Sequence, residues 1–149
     1  LQEVTKRLVV IRSGIVLAKE GGALPKMVLP FRFFAGGHIG HGRQWLSWID
    51  LEDEVEAILF LLSSSKAEGV YNLVSPGPVR QRDFAKTLGR VLSRPSLLPL
   101  PSFAVKLMLG EMGDELLLRG TKAMPVRLLN EGFKFHFERL EDSLRDKLL

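Results

Sequence analysis

Leu8, Val9, Val10 and Ile11 form an unbroken apolar run that stops at Arg12-Ser13-Gly14 and resumes at Ile15, Val16 and Leu17. Apolar residues at successive rather than alternate positions suit a strand buried on both faces. Such a strand needs sheet neighbours on each side. Residues 1–6 are too few to supply them, so the pattern leads us to expect the second half of a larger α/β protein.

The pattern beyond that strand alternates in type. Leu1–Lys6 reads as the end of a helix, Arg12–Ala23 as a loop, and Leu24–Phe34 as a helix that tolerates Pro25 in its first turn and kinks at Pro30. Ala35–Gly42 is a glycine-rich loop, and Gln44–Ile49 is a second strand. Asp53 with Glu56 predicts a capping box, and Val55, Ile58, Leu59 and Leu62 fall on one helical face. Val70–Val74 predicts a third strand, Ser75–Pro78 a turn, and Arg80–Leu92 a helix with Phe84, Leu88, Val91 and Leu92 inward. Leu97–Leu100 reads as extended, followed by helices over Ser102–Leu109, Asp114–Leu118 and Val126–Asn130. Phe133–Phe137, with alternating Phe, predicts a strand, and Arg139–Leu149 a last helix. The fold class expected is α/β: part of a Rossmann-like doubly wound sheet plus a small, mostly helical α+β lobe. The boundary is expected at Ser75–Val79, giving domains 1–75 and 76–149.

Composition narrows the class without naming a function. Hydrophobic residues make up 46% and charged residues 26%, as in ordinary globular domains. The densest apolar run, Ala57–Leu62, is too short to span a bilayer, so no membrane partner is expected. The 21 basic and 17 acidic residues leave a net charge of +4, and the basic ones are scattered. A nucleic-acid surface gathers them on one face, so none is expected. Without cysteine there is no disulfide framework, which fits a cytoplasmic location.

Candidate chemistry is sparse. The spacing Gly37-x-x-Gly40-x-Gly42 invites a phosphate-loop reading, but the loop follows a helix and precedes a strand. A dinucleotide fingerprint has the opposite order, strand then helix N-terminus. A substrate-side loop fits better. His38 and His41 lack an obvious third metal ligand, His136 reads as a packed strand residue, and no serine has a nucleophile-elbow context. Asp50, Glu52, Asp53, Glu54 and Glu56 open a helix, where acidic side chains offset the dipole. Trp45 and Trp48 face opposite sides of a strand, one toward the core and the other beside Arg43.

Several segments together resemble the extended short-chain dehydrogenase/reductases. Arg7–Leu17 resembles the strand after their catalytic helix, Trp48-Ile49-Asp50-Leu51-Glu52-Asp53 their (Phe/Tyr)-Ile-His-Val-x-Asp segment, and Gly69–Leu73 their Gly-x-Tyr-Asn strand. GGALPKMVLPFR, GHGRQWLSWI, YNLVSPGPV, LPLPSFAVKLMLGEMGDELL, MPVRLLNEGFKF and FERLEDSL are similar to the nucleoside-diphosphate-sugar epimerase group with a DUF1731-type C-terminal domain, here about 103–149.

The resemblance implies a Rossmann fold, NAD or NADP as cofactor, and hydride chemistry with a Tyr-x-x-x-Lys pair on a nucleotide-sugar-like substrate. Tyr71 is the only tyrosine and Ser75 stands where the Lys would be. No strand–glycine fingerprint is present either. No catalytic residue is therefore assigned, the chain alone is expected to be inactive, and no cofactor is expected to bind it tightly. Asp50 stands where the family has His, so no His role carries over. Ser13, Gly14, Ile15 and Val16 match the loop beside the nicotinamide, with backbone groups facing its carboxamide. The alternative is a strand-to-loop transition that needs Gly14 for space. Arg43 and Gln44 match the substrate-side strand, where Arg43 suits a diphosphate or else is a solvated surface residue. Tyr71 and Asn72 match a strand end bordering the substrate, with core packing the alternative for Tyr71. The competing functional class is a self-standing, non-catalytic interaction or oligomerisation module, such as a homodimer burying a sheet edge.

Overall fold

A computed structural model describes residues 7–114 and 120–149. Strand β1 (Val9–Ser13) pairs in parallel with β5 (Gly69–Leu73), from Val9 opposite Gly69 to Ser13 opposite Leu73. At Gly14 the chain changes partner, and β2 (Ile15–Leu17) pairs in parallel with β4 (Trp48–Asp50). The switch is bonded on both sides: Gly14 N–H donates to the Leu73 carbonyl at 3.1 Å and Ile15 N–H to the Ser47 carbonyl at 2.9 Å. A Cβ on Gly14 would lie 2.6 Å from that same Ser47 oxygen, so only glycine fits. The expected loop over Arg12–Ala23 thus contains a strand. The expected Gln44–Ile49 strand is divided into β3 (Trp45–Leu46), antiparallel to β6 (Val79–Arg80), and β4.

Residue alternation across β2 and β4 divides the core into two clusters. Ile15, Leu17 and Trp48 face α1 (Leu24–Arg32) and α3 (Gln81–Leu92), meeting Leu24, Val28, Phe31, Phe84 and Leu88. Ile49 and Leu73 face the other way, toward Leu61 and Leu128. The first cluster also holds Leu140 and Leu144 of α7 (Leu140–Leu148), so it joins residues from both sides of position 75. Between α3 and α7 lie α4 (Ser102–Leu109), α5 (Glu111–Gly113) and α6 (Val126–Asn130).

The structure corrects several sequence expectations. The run Leu8–Ile11 is not buried on both faces: Leu8 is 67% exposed and Val10 and Ile11 are each 42% exposed. Among the described residues β1 has a strand partner on one edge only. In α2 (Leu51–Ser63) the inward residues are Asp53, Glu54, Ala57 and Leu61, while Val55, Leu59 and Leu62 are exposed. Its N-cap is Asp50, whose carboxylate accepts the Glu52 N–H at 2.9 Å; Asp53 plays no capping role. Instead, Asp53 accepts the backbone N–H groups of His136 (2.8 Å) and Phe137 (2.9 Å). A side-chain carboxylate takes the place of a neighbouring strand there, so Phe133–Phe137 is not a strand and bends at His136. His136 is consequently not packed; its Nε2 lies 2.8 Å from Glu56 at the surface. Pro30 does not divide α1, which ends two residues later. The helix expected over Leu1–Lys6, and all but the first residue of the one expected over Asp114–Leu118, lie outside the described residues.

Two buried polar clusters lock the C-terminal segment onto the sheet. Asp50, fully buried, accepts the Ser143 hydroxyl at 2.5 Å and pairs with Lys147 Nζ at 3.1 Å. Tyr71, also buried, donates its hydroxyl to Glu131 at 2.8 Å, with the Arg127 guanidinium 4.0 Å from its ring centre. Burial, then the Glu131 carboxylate, pushes the Tyr71 hydroxyl above its ordinary value. Tyr71→Phe removes the hydroxyl and leaves the ring, so it is expected to cost about 1 kcal/mol in urea unfolding. An unchanged unfolding midpoint would show that the hydroxyl does not anchor α6.

Candidate active site

The carboxyl ends of β1 and β5 open into a cleft of about 590 Å³. Ser13, Gly14 and Ile15 form its floor, Asn72 and Val74 one side, and Ser47 with residues 121–124 the other. Doubly wound sheets hold ligands at this end of their strands, where the connections diverge. Arg12 and Lys122, both exposed, add positive charge to its lining.

Ser47 organises the far wall. Its hydroxyl donates to the Thr121 carbonyl at 2.6 Å and accepts the Ala123 N–H at 2.9 Å. Asn72 adds a weaker tie from its side-chain amide to the Met124 carbonyl, at 3.4 Å. Ser47→Ala removes both of the Ser47 contacts. We expect amide exchange at Ala123 to accelerate by roughly tenfold, the effect of losing hydrogen bonding worth about 1–1.5 kcal/mol. Exchange unchanged within twofold would mean that the wall is held elsewhere.

On the floor, Ser13 donates its hydroxyl to Glu54 Oε1 at 2.5 Å. Glu54 is only 8% exposed, and its Oε2 is buried without a hydrogen-bond partner. Burial pushes the Glu54 carboxyl above the usual carboxylate range, with the Ser13 hydrogen bond opposing.

Of the residues singled out by sequence, Ser13, Gly14, Ile15 and Asn72 come together here. The N–H groups of Gly14 and Ile15 are both held by the sheet. Ser13 adds a side-chain hydroxyl to the floor, and Gly14 leaves space beside it. Val16 packs toward Ile49 and Leu61 instead of lining the cleft. Tyr71 is core, with its hydroxyl on Glu131. Gln44 is buried and donates to the Ile39 carbonyl at 3.0 Å. Exposed Arg43 lies outside the cleft, its carbonyl accepting Arg80 Nη1 at 2.6 Å. Arg80 and Lys122 both lie over Trp45, 3.9 and 4.6 Å from its ring centre. Trp48 is the core tryptophan, donating its indole N–H to the Gly77 carbonyl at 2.8 Å.

Ser47, Glu54 and residues 121–124 are missed by sequence reasoning. The signal for 121–124 is its flanks, Gly120 and Pro125, which mark a connection rather than an element.

Comparison with known proteins finds relatives along most of the chain. Residues 100–146 match the family model described as a domain of unknown function, DUF1731. The epimerase family protein ML0860 of Mycobacterium leprae is 46% identical over 138 residues, which are 93% of this chain and 45% of that protein. The chain is a relative of the epimerase family proteins. The chloroplastic SDR39U1 homologue of Arabidopsis thaliana is 47% identical over 139 residues, 93% of this chain and 40% of its own length. The crystal structure of the human epimerase family protein SDR39U1 (isoform 2) with NADPH superposes with a TM-score of 0.86 at 38% identity. That match covers 94% of this chain and 48% of the human one. The chain thus spans about half the length of the curated epimerase family proteins it matches. Its α/β fold is that of their Rossmann-like, short-chain dehydrogenase/reductase type. Among the described residues, no helix is long and apolar enough to cross a membrane.

Proposed function

We propose that this chain is the C-terminal, substrate-side portion of an NAD(P)-dependent, epimerase-like oxidoreductase. In this reading the cleft receives the nicotinamide end of NAD or NADP beside the reacting substrate. One observation carries it: Ser13, Gly14 and Ile15 match the family's nicotinamide-side loop and line a cleft at the carboxyl ends of parallel strands. Gly14 leaves that floor open, and the Ser13 hydroxyl offers a polar contact, as an amide-bearing ring requires.

A nicotinamide held there supplies uptake and return of a hydride. This chain's residues orient and enclose. Ser13 and Asn72 present polar groups, and Ser47 fixes the 121–124 wall that excludes water from one side. Arg80 and Lys122, both over Trp45, with exposed Arg43 two residues along the chain, suit the phosphates of a nucleotide-sugar-like substrate. Neither Tyr-x-x-x-Lys nor a glycine fingerprint occurs in these 149 residues. The proton-transfer group and the dinucleotide cradle therefore come from sequence beyond them, and the 149 residues alone are expected to be inactive. The open edge of β1 and the exposed Val55, Leu59 and Leu62 of α2 supply apolar surface against which such sequence packs.

The test is calorimetric titration of the full-length natural protein carrying this sequence with NADPH and NADH. Saturable binding of either, lost in Ala123→Trp, which fills the cleft from its wall, supports the reading. Binding of neither, or binding indifferent to Ala123→Trp, contradicts it. The same exposed β1 edge favours a second reading, a homodimerising module. Light scattering that finds only monomer for these 149 residues removes that reading.

A further inference from the structure

We propose that Glu54 is a positioning residue that fixes the Ser13 hydroxyl as a hydrogen-bond acceptor toward the cleft, so that the site selects a ligand group bearing N–H donors. The inference rests on the cofactor reading above and extends it to a residue outside the cleft lining. Ser13 has one hydroxyl proton. Glu54 Oε1, 2.5 Å away, receives it, so what Ser13 can show a ligand is its lone pairs. A carboxylate at the surface would hold that proton loosely, exchanging it with water. Glu54 is only 8% exposed, and its Oε2 has no hydrogen-bond partner, so no other donor competes with Ser13. The N–H groups of Gly14 and Ile15 are engaged with Leu73 and Ser47, so they offer no donor to a ligand carbonyl beside Ser13. On this floor the Ser13 hydroxyl is a side-chain acceptor whose direction is set by Glu54. A carboxamide, with its NH2, satisfies that acceptor; an acetyl group of the same shape does not.

The experiment compares, by calorimetry on the full-length natural protein, NADPH or NADH with the analogue whose nicotinamide carboxamide is replaced by acetyl. The unsubstituted protein is expected to favour the carboxamide by roughly five- to tenfold, the effect of one hydrogen bond. Ser13→Ala and Glu54→Met are each expected to bring the ratio close to one. Glu54→Gln keeps an acceptor for the Ser13 proton and should retain most of the preference. A second measurement does not depend on Glu54 variants folding: carboxyl NMR of Glu54 in Ser13→Ala. Losing the Ser13 donor is expected to move the Glu54 titration upward. Full preference in Glu54→Met, or an unmoved Glu54 titration in Ser13→Ala, overturns the proposal while leaving the cofactor reading intact. If the unsubstituted protein binds neither dinucleotide, the cofactor reading falls and this inference falls with it.

Discussion

Gly14→Ala is expected to destabilise the protein by about 2–3 kcal/mol, the cost of overpacking a site that cannot give way. The added methyl would sit 2.6 Å from the Ser47 carbonyl oxygen and 3.0 Å from a Val74 methyl. Backbone must move, because the oxygen it meets is main chain. That oxygen also receives the Ile15 N–H, so relief of the clash lengthens the bond joining β2 to β4. Urea unfolding should show the lower midpoint, and hydrogen exchange should show Ile15 released first. A Gly14→Ala protein as stable as the original, with Ile15 still protected, would mean that β1 and β2 do not change partners at this glycine. Cleft and fold are coupled here, since the residue that permits the partner switch also leaves the cleft floor open.

Lys147→Met is expected to cost about 3 kcal/mol, because removing one member of a buried pair strands the other. Lys147 is 7% exposed, and its ammonium lies 3.1 Å from fully buried Asp50. Asp50 retains the Glu52 N–H and the Ser143 hydroxyl, which limits the loss but does not neutralise it. Despite burial, which acts to lower it, the Lys147 ammonium is held above its ordinary pKa by Asp146 and Asp50. Combining Lys147→Met with Asp50→Asn should cost less than the sum of the two single changes, since neither charge is then left alone. Strict additivity in denaturant unfolding would contradict the pairing. Because the pair joins the N-cap of α2 to α7, its loss should also loosen the last helix.

How far this architecture could be read from sequence depended on whether a segment's neighbours were local. Arg80–Leu92 was read correctly because Phe84, Leu88 and Val91 all face one core. The α2 stripe misled for the opposite reason. Val55, Leu59 and Leu62 have helical spacing, yet the inward side carries Asp53 and Glu54. Those carboxylates are buried because distant partners wait for them: the backbone of His136 and Phe137, and the hydroxyl of Ser13. Periodicity cannot report partners so far along the chain. Phe133–Phe137 failed similarly, its alternation being real but the His136 and Phe137 N–H groups answered by Asp53, and that of Phe133 by the Leu128 carbonyl, instead of by a strand. At the site, Ser13–Ile15 and Asn72 were accessible because they stand at strand ends within recognisable motifs. Ser47 and 121–124 were not, because the wall exists only once two hydrogen bonds bring separate segments together.

The most direct test of the cleft as a nicotinamide site is hydrogen–deuterium exchange on the full-length natural protein, with and without saturating NADPH. Ligand-induced protection is predicted at the cleft, centred on residues 12–15, Asn72 and 121–124, with α3 and the Phe33–Phe34 surface unchanged. Saturable binding whose protection falls elsewhere, leaving 12–15 and 121–124 unaltered, would contradict the assignment.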